Sequence, residues 1–369
     1  MSNAELISGK KFLLNTVTAW DEPPRARHQL AFSLAKKHEV TFVTRNKIGL
    51  PRVKIYYPEK NITVIEPSFP LDYKFRYRIP GINELYQFWL FSRLKNIADF
   101  DYCINFDFTA TLIYIFYKRV VYYCNDEFIG NSNVPSRIVD FYHKICENRV
   151  IRKAGFCVAT ADFLVEKLKR LNTQTFLIPL GGPNLNEIGV EPGKVLKGDT
   201  ITLSLIYVIT RHLDHELINN LLERGNIKIT CIGPRDSNFE SKIINHENIQ
   251  FKGILKNAEL YRELNKADIG LAPYIVEKVN QGGTPNKLWQ YFAVGKPVVI
   301  SDLPNLSGMK FPEKSVYIYK SVDQVFESIK QAHNDNHDDL VEKRTEFAGL
   351  NSWDSRIEEF LGVLTRSIL

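Results

Sequence analysis

Short apolar runs alternate along the whole chain with longer stretches whose apolar residues recur every three or four positions. The first kind suits buried strands and the second amphipathic helices, so the pattern predicts parallel sheets with helical crossovers. In the first half, strands are expected at 11–18, 39–45, 62–67, 101–105, 120–124, 155–160 and 175–179, with helices over 24–37, 82–97, 136–153 and 161–171. The prolines at 23 and 24 mark the start of the first helix, since proline suits a first turn. The stretch 180–199, LGGPNLNEIGVEPGKVLKGD, is rich in Gly, Pro and Asn, has no periodicity, and is expected to link two domains.

A second series follows, with strands expected at 201–209, 227–233, 248–253, 267–274, 297–301 and 315–319. Helices are expected between them over 214–223, 257–266, 286–293 and 322–332, and the chain ends on the amphipathic stretch 352–369. No internal repeat or low-complexity segment interrupts the alternation. Two doubly wound α/β domains are therefore predicted, with ligands bound outside the carboxyl ends of the strands.

Composition leaves that picture in place and removes several alternatives. A length of 369 residues suits two α/β domains, and 44% hydrophobic with 24% charged residues is ordinary for a folded chain. The formal charge of +6 comes without a Lys/Arg block, so nucleic acid is not expected as a partner. Cys103, Cys124, Cys146, Cys157 and Cys231 form no CxxC pair and read as buried free thiols in a reducing cytoplasm. The amino terminus lacks a signal-peptide pattern, and no apolar run reaches the roughly 18 residues of a membrane span. A cytoplasmic location is expected, extending to the inner face of the cell membrane. No G-x-G-x-x-G, Walker or G-x-S-x-G segment occurs, which argues against the usual dinucleotide, NTPase and hydrolase chemistries. His212 and His215 lack the further ligands of a metal site, and none is expected.

The stretch GGTPNKLWQYFAVGKPVV (282–299) puts a glycine pair and a Thr-Pro-Asn turn ahead of a short helix bearing Asn286 and Lys287. Free backbone N–H groups at such an end, a nearby lysine and a loop that lets backbone approach closely suit an anion such as a diphosphate. With the preceding ADIGLAPYIVEKVNQ, this segment resembles the donor-binding region of GT-B glycosyltransferases, enzymes of two Rossmann-like domains facing across a cleft. FLIPLGG (176–182) is similar to the strand and linker closing the first domain of that family, and VVYYCNDEFIG (120–130) resembles a segment of a bacterial cell-surface polysaccharide subgroup. Two departures stand out. Family-4 members of the retaining kind carry two glutamates with seven residues between them, where this chain has Gly282 and Gln290, and the glycine usual near Ile209 is absent.

The resemblance implies an acceptor-binding domain over 1–181, completed by 352–369 packing back on it, and a nucleotide-sugar domain over 182–351. It implies transfer of a sugar from a nucleotide-diphosphate donor to a glycan or lipid-linked acceptor in cell-surface polysaccharide synthesis, without metal or cofactor. A nucleotide-sugar epimerase and a non-catalytic scaffold of the same fold are the alternatives. Arg211, Thr210, Tyr274, Gly282, Gly283, Thr284, Pro285, Asn286, Lys287 and Gln290 would hold the donor. A base is expected at a strand end, which Asp126 satisfies, with Glu127 able to exchange roles and Asp21 as rival. Trp20, Arg25, Arg27 and His28 would meet the acceptor, with Arg27 equally readable as a solvated helix residue. Finally, 72–95 interleaves aromatic and basic residues, which suits contact with anionic lipid, chiefly through 72–80.

Overall fold

The structure is a computed structural model that describes residues 9–22, 24–129, 136–195, 198–224, 226–276, 286–306 and 308–368. The chain divides into two compact units, Met1–Leu180 with Arg356–Leu369, and Gly181–Ser355.

The first unit carries β1 (Lys11–Asn15), α1 (Ala26–Ala35), β2 (Glu39–Val43), β3 (Lys47–Ile48), β4 (Arg52–Glu59), β5 (Ile62–Phe69), α2 (Tyr73–Arg76), α3 (Ile82–Ile97) and β6 (Tyr102–Asn105). It continues through α4 (Ile113–Phe116), β7 (Val120–Cys124), α5 (Arg137–Lys153), β8 (Phe156–Ala159), α6 (Asp162–Lys169) and β9 (Thr175–Leu177). Its sheet runs β3-β5-β2-β1-β6-β7-β8-β9, with β4 antiparallel on β5 and the other pairings parallel. The chain winds outward from β1 in one direction and from β6 in the other, so the crevice where crossovers part lies at the carboxyl ends of β1 and β6. Burial of every residue of β6, β7 and β8 explains their apolar runs, broken only by Asn105 at the end of β6.

Register places Cys103, Val120, Tyr122 and Cys157 on one face of this sheet. Leu90 and Leu94 of α3 pack there with Cys103 and Val120, and Val150 and Ile151 of α5 pack there with Tyr122 and Cys157. Tyr123 and Phe156, on the opposite face, meet Phe360 of the last helix, α14 (Trp353–Ile368).

The second unit holds α7 (Leu185–Ile188), β10 (Ile201–Ile206), α8 (His215–Glu223), β11 (Ile227–Ile232), α9 (Ser237–Glu240), β12 (Ile249–Phe251) and α10 (Asn257–Asn265). Then come β13 (Ile269–Ala272), α11 (Lys287–Ala293), β14 (Val298–Ser301), β15 (Val316–Tyr319), α12 (Val322–Asp335) and α13 (Asp338–Leu350). The parallel sheet, β12-β11-β10-β13-β14-β15, reverses its winding between β10 and β13. That is the 3-2-1-4-5-6 strand order of the whole dinucleotide-type sheet, here without its glycine fingerprint.

Tyr291 of α11 closes the gap between those two strands. Its hydroxyl accepts from the Ile206 N–H at 3.0 Å and donates to the Ser204 carbonyl at 2.8 Å. The ring lies where a side chain on residue 270 would go, since a Cβ on Gly270 would stand 2.5 Å from it. Gly270→Ala is accordingly expected to cost about 1–3 kcal/mol through overpacking, read as a lowered denaturation midpoint; an unchanged midpoint would dismiss the contact as slack.

Candidate functional site

In the first unit, β1 and β6 both end on asparagine. Asn15 Nδ2 donates to Asn105 Oδ1 at 2.8 Å, and that oxygen also accepts the Asp107 N–H at 3.1 Å. Asp107 turns inward and accepts from the Thr109 N–H and hydroxyl at 2.8 and 2.7 Å. The crevice floor is thus a fixed polar layer at the end of an apolar sheet.

Arg27 spans this layer. The expected helix start at 24 moves to Ala26, and Arg27 in the first turn is buried rather than solvated. Its guanidinium donates to Thr18 Oγ1 at 2.8 Å and to Asn125 Oδ1 at 3.2 Å, and lies 5.5 Å from the centre of the Phe106 ring. It thereby connects the segments following β1, β6 and β7. Burial, then the charge of Arg25, lowers its pKa to about 10, so it stays charged at neutral pH.

Asp126 follows β7, half-buried. Its Oδ1 accepts the Glu127 N–H at 2.8 Å. Burial raises its pKa above the usual carboxylate value, against the opposing effects of that N–H and of Arg27. Glu127 has a different setting: its carboxylate meets Lys167 at 2.7 Å, and the same ammonium meets the buried Glu147 at 2.7 Å. That engagement gives the two neighbours different settings: Glu127 is held by an ammonium, whereas Asp126 accepts the Glu127 N–H. Asp21 is exposed.

The residues expected at the acceptor divide. His28 is corrected: it is buried, its Nδ1 accepts the Arg25 N–H at 3.1 Å, and its Nε2 meets the Ala19 carbonyl at 3.0 Å. Both ring nitrogens are taken, and burial drops its pKa to about 4, so it is a neutral structural group. Trp20 packs on Phe32 and Phe42, and Arg25 is exposed and paired with Glu22 at 2.7 Å. Asn15, Thr18, Asn105, Asp107 and Asn125 are not among the expected residues; a polar residue closing an apolar strand is the available signal for the asparagines.

In the second unit the crevice between β10 and β13 is closed by backbone. The Asp214 N–H donates to Pro273 and the Ile275 N–H to His212, with Leu213 bridging Tyr274. This stitching sets the Thr210–Arg211 turn beside Tyr274, and the Lys287 ammonium lies 4.9 Å from the centre of the Tyr274 ring. Arg211 is exposed, and Thr210 donates to Asp236, a residue the sequence reading did not select. With only seven residues, α11 offers a weak dipole, and Asn286 supplies no side-chain cap. Lys287 therefore carries more of the positive potential than a helix end would. Gln290 hydrogen-bonds Tyr261, which turns it toward α10. Gly282, Gly283, Thr284 and Pro285 lie outside the described residues.

The segment expected at a membrane is also rearranged. Arg76 is not a lipid-facing cation: at 2% exposure it donates to Asn46 at 3.0 Å and to Asn83, with the Tyr86 ring centre 3.8 Å away.

Residues 211–362 match the glycosyl transferase-like family. A Bacillus subtilis (strain 168) protein named "Putative teichuronic acid biosynthesis glycosyltransferase TuaH" is 27% identical over 229 residues, which cover 56% of this chain and 55% of that one. The match thus spans about half the length of this curated relative. Among solved structures, sucrose-phosphate synthase from Thermosynechococcus elongatus gives a TM-score of 0.71 at 15% identity, over 97% of this chain and 99% of that one. A glycosyltransferase from Rickettsia africae gives 0.69 at 12%, over 98% and 99%. These structural likenesses show the fold, which is GT-B.

Proposed function

We propose that this chain, a GT-B-fold protein with a glycosyl transferase-like segment over 211–362, moves a sugar from a nucleoside-diphosphate donor to a glycan or lipid-linked acceptor of a bacterial cell-surface polysaccharide. The observation that carries the reading is the gathering of Thr210, Arg211, Tyr274 and Lys287 at the switch point of the second sheet. Loss of a nucleoside diphosphate builds negative charge on the leaving oxygens, and Lys287 with Arg211 answers that charge from fixed positions. In the first unit Asp126 takes the proton of the attacking hydroxyl if the reaction inverts, and orients that hydroxyl if it retains. Arg27 holds the Asp126 segment from below through Asn125. The name of the Bacillus relative supports an envelope polymer as product. Nothing found supports the epimerase alternative.

The test is calorimetric titration with UDP, GDP, ADP, CMP and dTDP, with and without chelator. One nucleotide is expected to bind selectively and independently of metal. Lys287→Ala is expected to weaken it about tenfold, the scale of one hydrogen bond to a charged group. Folded protein that binds none of them would move the scaffold alternative ahead.

A further inference from the structure

The face that α3 and α5 turn away from the first unit's sheet is apolar where such faces are normally charged. On α3 the outward row is Ile82, Leu85 and Phe88; on α5 it is Ile138, Phe141 and Ile145. Leu85 and Phe88 are 62% and 57% exposed, and Ile138 and Phe141 are 81% and 67% exposed. The helices lie in one layer, because their inner residues pack on the same face of the sheet. They also touch directly: the Tyr142 hydroxyl donates to Glu84 at 2.8 Å and Asn83 donates to that hydroxyl at 3.2 Å. The two rows therefore form one patch, which α2 extends through the exposed Phe75.

Charge around the patch has one sign. Arg137, Lys144 and Arg149 are exposed on α5, and Lys74 on α2. The acids of α3 and α5 do not balance them: Glu84 is hydrogen-bonded to Tyr142 and to the Gly81 N–H, Glu147 is buried against Lys167, and Asp140 is half-buried. A protein partner of mixed charge gains little from such a rim, whereas an anionic bilayer takes apolar side chains beneath its headgroups and cations among them.

An aromatic row leads from this patch toward the proposed base. Tyr73 stacks on Tyr77, Tyr77 on His143, and the His143 ring stands edge-on to Phe108 with centres 5.2 Å apart. Phe108 then stacks on Phe128, two residues beyond Asp126, at 5.3 Å. We propose that the outward face of α3 and α5 docks on an anionic membrane surface and so brings the first unit to a lipid-linked acceptor. This rests on the transferase reading for the acceptor, while the docking face stands on its own observations.

Sedimentation with lipid vesicles tests it on the full chain. The protein is expected to partition onto vesicles containing phosphatidylglycerol, less onto pure phosphatidylcholine, and less at high salt. A Leu85→Ser, Phe141→Ser double variant is expected to bind the anionic vesicles about tenfold more weakly with unchanged circular dichroism and nucleotide titration. An Arg137→Glu, Lys144→Glu variant is expected to lose the preference for anionic lipid. Equal binding by wild type and the serine variant, no vesicle binding by wild type, or a dimer that the serine changes dissociate would each overturn the proposal, the last by assigning the face to a second copy. Vesicle binding by a protein that binds no nucleotide would instead remove the transferase reading and leave the docking face intact.

Discussion

Asp126→Asn is expected to lower turnover by about 10²–10⁴, the usual contribution of a positioned general base, while leaving nucleotide affinity unchanged. The same substitution is expected to leave the fold as stable or more stable at neutral pH. Burial raises the Asp126 pKa, so the carboxyl stabilises the folded state only while protonated. That contribution is complete below the ordinary carboxylate value and is lost as pH rises through the raised one. At neutral pH the ionised side chain is a cost, offset in part by Arg27 and the Glu127 N–H, and asparagine removes the charge while keeping an oxygen for that N–H. Turnover should also rise with pH through the raised value, because the base acts ionised. A capping role predicts the reverse pair: lost stability with little change in rate. Thermal melting beside initial rates separates them. A large fall in rate identifies the inverting role, and a drop of only a few-fold the orienting one.

Most of the fold is legible because it is written in buried strands. The expected strand over 120–124 and helix over 82–97 coincide with β7 and α3 to the residue, and β1, β10 and β11 start where expected but end sooner. β1 and β10 border the two crevices, and the chain leaves the sheet early there because the crevices begin at their ends. β4 was missed because it lies mostly exposed along an edge and shows no alternation of buried and exposed positions. Helix α13 was missed for a different reason. Its buried positions are Leu340, Arg344 and Ala348, one stripe at four-residue spacing whose middle member is an arginine. The candidate site shows the same bias. Lys287, Tyr274 and Asp126 are legible as candidates because they stand at the ends of recognisable runs. Arg27, buried under the crevice, reads equally as a solvated helix residue until its partners at Thr18 and Asn125 are seen, and His28 reads as an acceptor contact until its ring nitrogens are seen to meet Arg25 and Ala19.

Arg344→Ala is expected to destabilise the protein by roughly 4 kcal/mol, because it leaves several buried acceptors unpaired and opens a cavity. The side chain is fully buried and donates to the Gly295 carbonyl at 2.8 Å, the Lys314 carbonyl at 3.2 Å and Asn336 Oδ1. Gly295 and Lys314 both adopt left-handed backbone, at φ +73° and +55°, so one guanidinium braces the turn after α11 and the turn before β15. Its pKa falls to about 10 through burial, so the charge persists at neutral pH and those hydrogen bonds remain charge-assisted. Arg344→Lys should recover little, since a single ammonium cannot reproduce the planar fork. Function is linked to this clamp through packing. α13 holds α11 through Phe347 against Trp289 and Phe292, and α11 carries both Lys287 and the Tyr291 hydroxyl that closes the gap beside β10. The alanine variant, at temperatures where it stays folded, is therefore expected to bind the donor nucleotide more weakly although Arg344 lies on another element. Urea denaturation paired with nucleotide titration checks both halves. A loss below about 1 kcal/mol would mean that the acceptors find other partners, and full stability loss with unchanged affinity would detach the clamp from the donor site.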